Sequence, residues 1–255
     1  MSDDQLAFYE TVENEYWGTA WGSKPDEAAI LDAYLSREEE TVEAGTGNGR
    51  ILFQLAERGF GRLAGFDFVP ELIDRARATE GAERIEFEVA DAKSLPYEDG
   101  RFGQAIYLSQ VPSIFERAEE RAAVVREAFR ILRPGGLALF SFLSYDVRRS
   151  DWRYRAFLGL LAAQRAVRRS QRSPQLLPRI RTAGRFSPRS LRDAGPHMYW
   201  YRTAEAEQEL RGAGFELRAI GSTPQVLAGE MAPSAAALAG TRQAGTLYAV
   251  AVKPS

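Results

Sequence analysis

The chain has 255 residues, 45% of them hydrophobic and 27% charged, with a formal net charge of −2 and an isoelectric point near 5.7. This composition suits a globular protein with a full core and argues against a generic nucleic-acid binder. With no cysteine and one histidine, His197, disulfides, a cysteine nucleophile and thiolate or multi-histidine metal sites are excluded, and no metal is expected. No stretch approaches the roughly 20 apolar residues of a membrane span. Met1-Ser2-Asp3-Asp4 lacks the basic start of a secretion signal, so a cytoplasmic location is expected.

In chain order, the aromatic-rich segment 6–34 predicts one or two helices broken around Gly18 and Gly22. Residues 40–44 predict a strand that runs into Gly45-Thr46-Gly47-Asn48-Gly49, and residues 50–56 then have helical spacing. A strand over 62–66 ends at Asp67, and Pro70 opens a helix, where its missing N–H does no harm. Residues 85–90 alternate strictly and end at Asp91. A strand over 102–108, an amphipathic helix over 119–132, a turn at Pro134-Gly135-Gly136 and an apolar strand over 137–143 follow. A helix over 152–169 then leads into a Pro- and Arg-rich stretch. Beyond it the pattern predicts a helix over 203–212, N-capped by Thr203, and closing strands over 215–220 and 246–252. Strands alternating with helices imply an α/β fold, a mostly parallel sheet with helices on both faces.

Charge is unevenly spread. Between Arg148 and Arg192 lie 13 of the 33 basic residues, all arginine, against one acid, Asp151. The expected partners of such a patch are the acidic body of the same protein, an anionic small molecule, a membrane surface or nucleic acid. After Tyr154 this stretch has only Phe157 and Phe186 as aromatics, which disfavours RNA.

The strongest chemical signal is the glycine loop between a strand and a helix. Glycines there let the backbone turn tightly and approach a ligand closely. The G-x-G-x-G spacing differs from the dinucleotide fingerprint G-x-G-x-x-G, and Arg50 stands where a P-loop needs lysine. Asp67, at the end of the second strand, can accept hydrogen bonds from both hydroxyls of a ribose. Asp91-Ala92, at the end of the third, can meet the edge of an adenine. All lie at the carboxyl ends of strands, where open α/β sheets bind ligands.

On these residues the chain resembles the class I S-adenosylmethionine-dependent methyltransferases, the small-molecule branch that includes quinone biosynthesis. Glu43 to Gly49 looks like the family's first motif, Asp67 like its ribose acid and Asp91 like its adenine-site acid. Arg133-Pro134-Gly135-Gly136 and Gly212-Ala213-Gly214-Phe215 look like its turns into the fifth and sixth strands. Gly103 departs from the pattern, standing where the family often has aspartate. The resemblance implies a Rossmann-like seven-stranded sheet with an antiparallel last strand. It implies S-adenosylmethionine as cofactor, held by Glu43, Gly45, Thr46, Gly47, Asn48, Gly49, Asp67, Phe68, Asp91, Ala92, Ser109 and Gln110. The expected layout is one domain: an aromatic cap over 1–38, a cofactor-binding core over 39–143, an inserted Arg-rich helical lobe over 144–198 between strands 5 and 6, and the rest of the core over 199–255.

The expected reaction is transfer of a methyl group to an oxygen or nitrogen of a small organic molecule, anionic or partly hydrophobic. His197 is the candidate general base, since its ordinary pKa suits neutral pH. Tyr16 and Trp17, as a lid, and Tyr199, as a wall, are the candidate substrate contacts. The alternatives are an RNA methyltransferase that holds phosphates with the Arg-rich lobe, or a non-catalytic binding protein that keeps the fold. A nicotinamide-dependent oxidoreductase is disfavoured by the glycine spacing.

Overall fold

A computed structural model of the protein describes residues 22–182 and 185–255. The strands are β1 (Thr41–Ala44), β2 (Leu63–Asp67), β3 (Ile85–Val89), β4 (Phe102–Tyr107), β5 (Leu132–Phe142), β6 (Leu176–Pro178), β7 (Arg181–Thr182), β8 (Arg185–Phe186), β9 (His197–Tyr199), β10 (Glu216–Ser222) and β11 (Leu247–Val252). Seven of them form one sheet in the order β10-β11-β5-β4-β1-β2-β3. Neighbours from β3 through β5 pair in parallel, while β11 runs antiparallel to both β5 and β10. This is the Rossmann-like architecture expected of the sequence.

Period-two alternation divides the core between the two faces of the sheet. Ala105, Tyr107, Ala138 and Phe140 face one side, where helices Ala118–Ile131 and Thr203–Gly212 bring Val124, Ala128 and Leu210. Ile106, Leu137 and Leu139 face the other, against Ile30, Ile51, Leu52 and Ile73 of helices Pro25–Tyr34, Arg50–Glu57 and Pro70–Arg77.

β5 is interrupted near its start: Gly135 has φ +75° and the pairing with β4 slips from Phe102–Leu132 to Gln104–Leu137, so Pro134-Gly135-Gly136 turns the chain within the strand's bounds. Gly135 N–H donates to Lys253 O and Lys253 N–H to Gly136 O, which ties this turn to the residues after β11. One local expectation is corrected. The N-cap of helix Thr203–Gly212 is Arg202, with Thr203 its first residue. Thr203 instead donates from both its N–H and its hydroxyl to Asp146 Oδ2.

Between β5 and that helix lies the basic segment. It holds helices Tyr145–Ser150 and Trp152–Val167 and two short antiparallel pairs, β6–β9 and β7–β8. Its small core is Tyr145, Leu161 and Leu177, with Phe157, Leu158 and Trp200 packed against them. The two ends of the segment are clasped together: Tyr201 N–H donates to Leu143 O and Tyr145 N–H to Tyr201 O, each at 2.8 Å.

Candidate functional site

The carboxyl ends of β1, β2, β3 and β4 open into one cleft. The loop after β1 forms its floor. Gly45 (φ +62°), Gly47 (+57°) and Gly49 (+84°) all take left-handed backbone, which side chains disfavour. At Gly49 a Cβ would also meet Phe53 at 2.8 Å and Phe87 at 2.9 Å. Gly49 thus starts helix Arg50–Glu57 from behind the loop, while Glu43, Gly45, Thr46, Gly47 and Asn48 line the cleft.

Two buried carboxyl groups face this loop. Glu43 Oε2 accepts a hydrogen bond from Thr46 Oγ at 2.7 Å. Burial pushes the Glu43 carboxyl up to about 8, although Arg50 and Thr46 pull the other way. Asp67 accepts from Gly47 N–H and from Val69 N–H, each at 3.0 Å. Burial raises its carboxyl to about 6, with those backbone donors opposing. Asp67 therefore fixes the tip of the first loop and the start of the next. Asp91 is exposed at the cleft edge, 3.4 Å from Lys93 Nζ, with Ala92 buried beside it.

The raised pKa of Glu43 has a consequence for stability. Between the ordinary carboxylate range and about 8 the folded state holds a proton that the unfolded state has released. Stability is therefore lost as pH rises through that window. Glu43→Gln is expected to melt at the same temperature as wild type near pH 5, and several degrees higher at pH 9, at roughly 2–4 °C per kcal/mol. Thermal melts of both ligand-free proteins across that range check this; parallel curves would contradict it.

Past β4, Ser109 and Gln110 both have positive φ, 56° and 62°. Gln110 N–H donates to Ser141 Oγ at 2.9 Å, which holds this strained turn against the cleft. Val111, Ile114 and Phe115 then form an apolar wall, opposite Phe68, Val69 and Leu72.

Two charged cleft residues, Arg50 and Arg179, went unassigned in the sequence, as did the apolar wall. Arg50 is paired with Glu27 at 2.8 and 3.0 Å and donates to Ser109 Oγ at 3.0 Å. Its place directly after the glycine loop was the available signal. Arg179, just beyond β6, brings the basic lobe to the cleft, but only the fold connects it to the loop after β1.

Of the expected cofactor residues, all but Gly49 line this one cleft. Tyr16 and Trp17 lie outside the described residues. The expectation of His197 as general base is corrected by its position. It lies in β9, is 3% exposed and does not line the cleft. Its Nε2 is 3.2 Å from Asp193 Oδ1 and 3.1 Å from an Arg172 nitrogen. Burial and Arg172 hold its pKa below the ordinary value. Tyr199 also faces elsewhere: its hydroxyl donates to Glu205 and its ring lies 3.4 Å from the Arg121 guanidinium. At Gly103 a Cβ would stand 2.0 Å from the Glu39 carboxylate, which fills that space and pairs with Arg133 at 2.6 Å. Among the described residues no cluster of three or more His, Cys, Asp or Glu could hold a metal.

Comparison with known proteins agrees with this geometry. Residues 42–140 match the family model described as a methyltransferase domain. The chain is 33% identical over 119 residues to a demethylmenaquinone methyltransferase of Deinococcus radiodurans, covering 45% of this chain and 48% of that protein. It is 30% identical over 158 residues to the 27-O-demethylrifamycin SV methyltransferase of Amycolatopsis mediterranei, covering 55% of this chain and 54% of that one. It thus spans about half the length of these relatives. In fold it is similar to a SAM-dependent methyltransferase of Methanosarcina mazei, with a TM-score of 0.64 and 19% identity over 88% of this chain and 97% of that one. Residues 42–140 thus match a methyltransferase domain, and the fold around them is similar to that of an S-adenosylmethionine-dependent methyltransferase.

The donor set of the cleft fits that cofactor. A buried carboxyl at Glu43 and a guanidinium at Arg50 suit the charged ends of an amino acid. Asp67 suits a ribose diol, and the walls from Phe68 to Leu72 and at Ala92 and Val111 suit an adenine.

Proposed function

We propose that the protein transfers a methyl group from S-adenosylmethionine to an oxygen or nitrogen of a small organic molecule. The observation that carries this reading is the single cleft that joins Glu43, Arg50 and Asp67 to an apolar wall and to Arg179 of the basic lobe. When bound, the cofactor supplies a methyl group on a positively charged sulfur, ready for in-line displacement.

The chain's own work is mostly placement. Asp67, itself clamped by Gly47 and Val69, holds one part of the ligand; Glu43 and Arg50 hold the other. Ser109 and Gln110, which line the cleft just after β4, would face the cofactor and the substrate mouth. Val111, Ile114 and Phe115 exclude water, and Arg179 offers a cation to an anionic or polar acceptor. Proximity and alignment can account for much of the rate of such a transfer. His197 has no place in this scheme.

The test is titration calorimetry with S-adenosylmethionine, S-adenosylhomocysteine and NAD, followed by isotopic methyl transfer to a panel of phenols, carboxylates and amines. Binding of the first two without NAD, and label in at least one acceptor, is the expected result. Binding without transfer to any acceptor, alone or in pools, would favour a non-catalytic role. Absence of binding would overturn the proposal.

A further inference from the structure

Helix Trp152–Val167 is apolar on two sides. Its inward face packs Phe157, Leu158 and Leu161 into the lobe core beside the buried Arg165, and a second apolar stripe faces outward. Trp152, Ala156, Leu160, Ala163 and Val167, spaced three or four apart, are all exposed, and so is Gly159. Trp152 is 72%, Leu160 44% and Val167 86% exposed. Water-facing helices ordinarily put charged residues on that side. Here arginines only border the stripe: Arg153 and Arg155 on its flanks, Arg168 and Arg169 just past its end, all exposed. None of the four lies within ion-pair distance of a carboxylate among the described residues. Phe186 and Leu191, also exposed, edge a shallow crevice lined by Asp151, Arg153, Tyr154 and Phe157 on the flank of the helix.

We infer that this outward face rests on an anionic membrane surface, with Trp152, Leu160 and Val167 in the headgroup region and the bordering arginines on lipid phosphates. A convex apolar ridge fringed by arginine and led by tryptophan suits an interface plane. The charge matches: the segment from 148 to 192 carries 13 Arg and one acid, while the rest of the chain is acidic. A symmetric pair of chains meeting through the same ridge would set Arg153, Arg155, Arg168 and Arg169 against their own copies, which disfavours a second copy. No described helix is long and apolar enough to cross a membrane, so the contact is peripheral. The ridge belongs to the same lobe that delivers Arg179 to the cleft, so a docked protein would hold its lobe against the bilayer.

The experiment is flotation of the full chain with vesicles of phosphatidylcholine alone or mixed with phosphatidylglycerol, at low and high salt. Wild type should float with the mixed vesicles at low salt, stay behind with phosphatidylcholine alone, and bind less at high salt. The double variant Leu160→Glu/Val167→Glu should lower vesicle partitioning more than tenfold, because it places charge in the apolar stripe. Replacing Arg153, Arg155, Arg168 and Arg169 with Gln should lower it by roughly fivefold per charge removed. These positions are exposed, and S-adenosylhomocysteine affinity and melting temperature serve as controls for folding. Failure of wild type to float with the mixed vesicles at low salt, or undiminished flotation of the double variant, overturns the inference. A dimer in sedimentation that the double variant abolishes, without vesicle binding, would assign the ridge to a second copy and also overturn it.

Discussion

Asp67→Ala is expected to weaken S-adenosylhomocysteine binding by roughly a hundredfold or more, since each hydrogen bond to a charged acceptor contributes about 1.5–3 kcal/mol. Two effects combine. The carboxylate is lost as an acceptor for the ligand, and Gly47 N–H and Val69 N–H lose the partner that holds them at 3.0 Å. The glycine loop and the turn after β2 would then no longer be tied to each other. Asp67→Asn keeps one acceptor oxygen and should fall between the two. Titration calorimetry with melting controls reads this directly. A folded Asp67→Ala protein with wild-type affinity would remove Asp67 from the site.

The second large effect is expected in the lobe. Arg165 and Asp193 form a buried, two-pronged pair at 2.7 and 2.8 Å, and Arg165 also donates to Ser173 O and Leu176 O. His197 completes the cluster on Asp193. Asp193→Ala would leave the Arg165 guanidinium buried without its counter-charge, a loss of about 3–5 kcal/mol. That exceeds what a lobe with so small a core can absorb, so the damage should be local. Hydrogen exchange is expected to speed up over residues 145–199 while β1, β2 and β4 keep their protection. The affinity for S-adenosylhomocysteine should fall little. Uniform protection across the variant would contradict this. The pair also has a pH signature. Burial pushes Asp193 up, but Arg165 and His197 more than offset it and hold the carboxyl below its ordinary value. Stability from a depressed acid is present above the ordinary carboxylate range and lost as pH falls through the depressed value. The lobe should therefore loosen first in acid.

The core of this fold was legible because its signals are local. β1, β2 and β3 run into Gly45, Asp67 and Asp91, and those stops line the cleft. Pro134-Gly135-Gly136 was legible as a turn, and regular pairing with β4 resumes at Leu137, where the apolar strand was expected; the hydrogen bonds that tie this turn down come from Lys253 and were not legible. The lobe was the least legible part. Its strands have two or three residues each, too short for any periodicity, and a buried ion pair rather than an apolar pattern holds it. His197 looked like a base because a lone histidine at a junction has no visible partners in sequence. Asp193, one helical turn upstream in numbering, is what claims it. Arg50 and Glu27 stand 23 positions apart, and neither predicts the other without the fold.

The clasp at the foot of the lobe bears on how such a protein can diversify. Leu143 and Tyr145 on the outgoing strand are tied to Tyr201 on the return, so the excursion between them begins and ends at one point. Every residue that lines the cleft, apart from Arg179, lies between Glu43 and Phe115, upstream of that point. The lobe is accordingly a cartridge. Its length and sequence can be exchanged at fixed ends with only the slow entropic toll of a longer closed loop. The methyl donor's seat can stay unchanged through such exchanges while the acceptor, and the surface at which it is met, are rewritten.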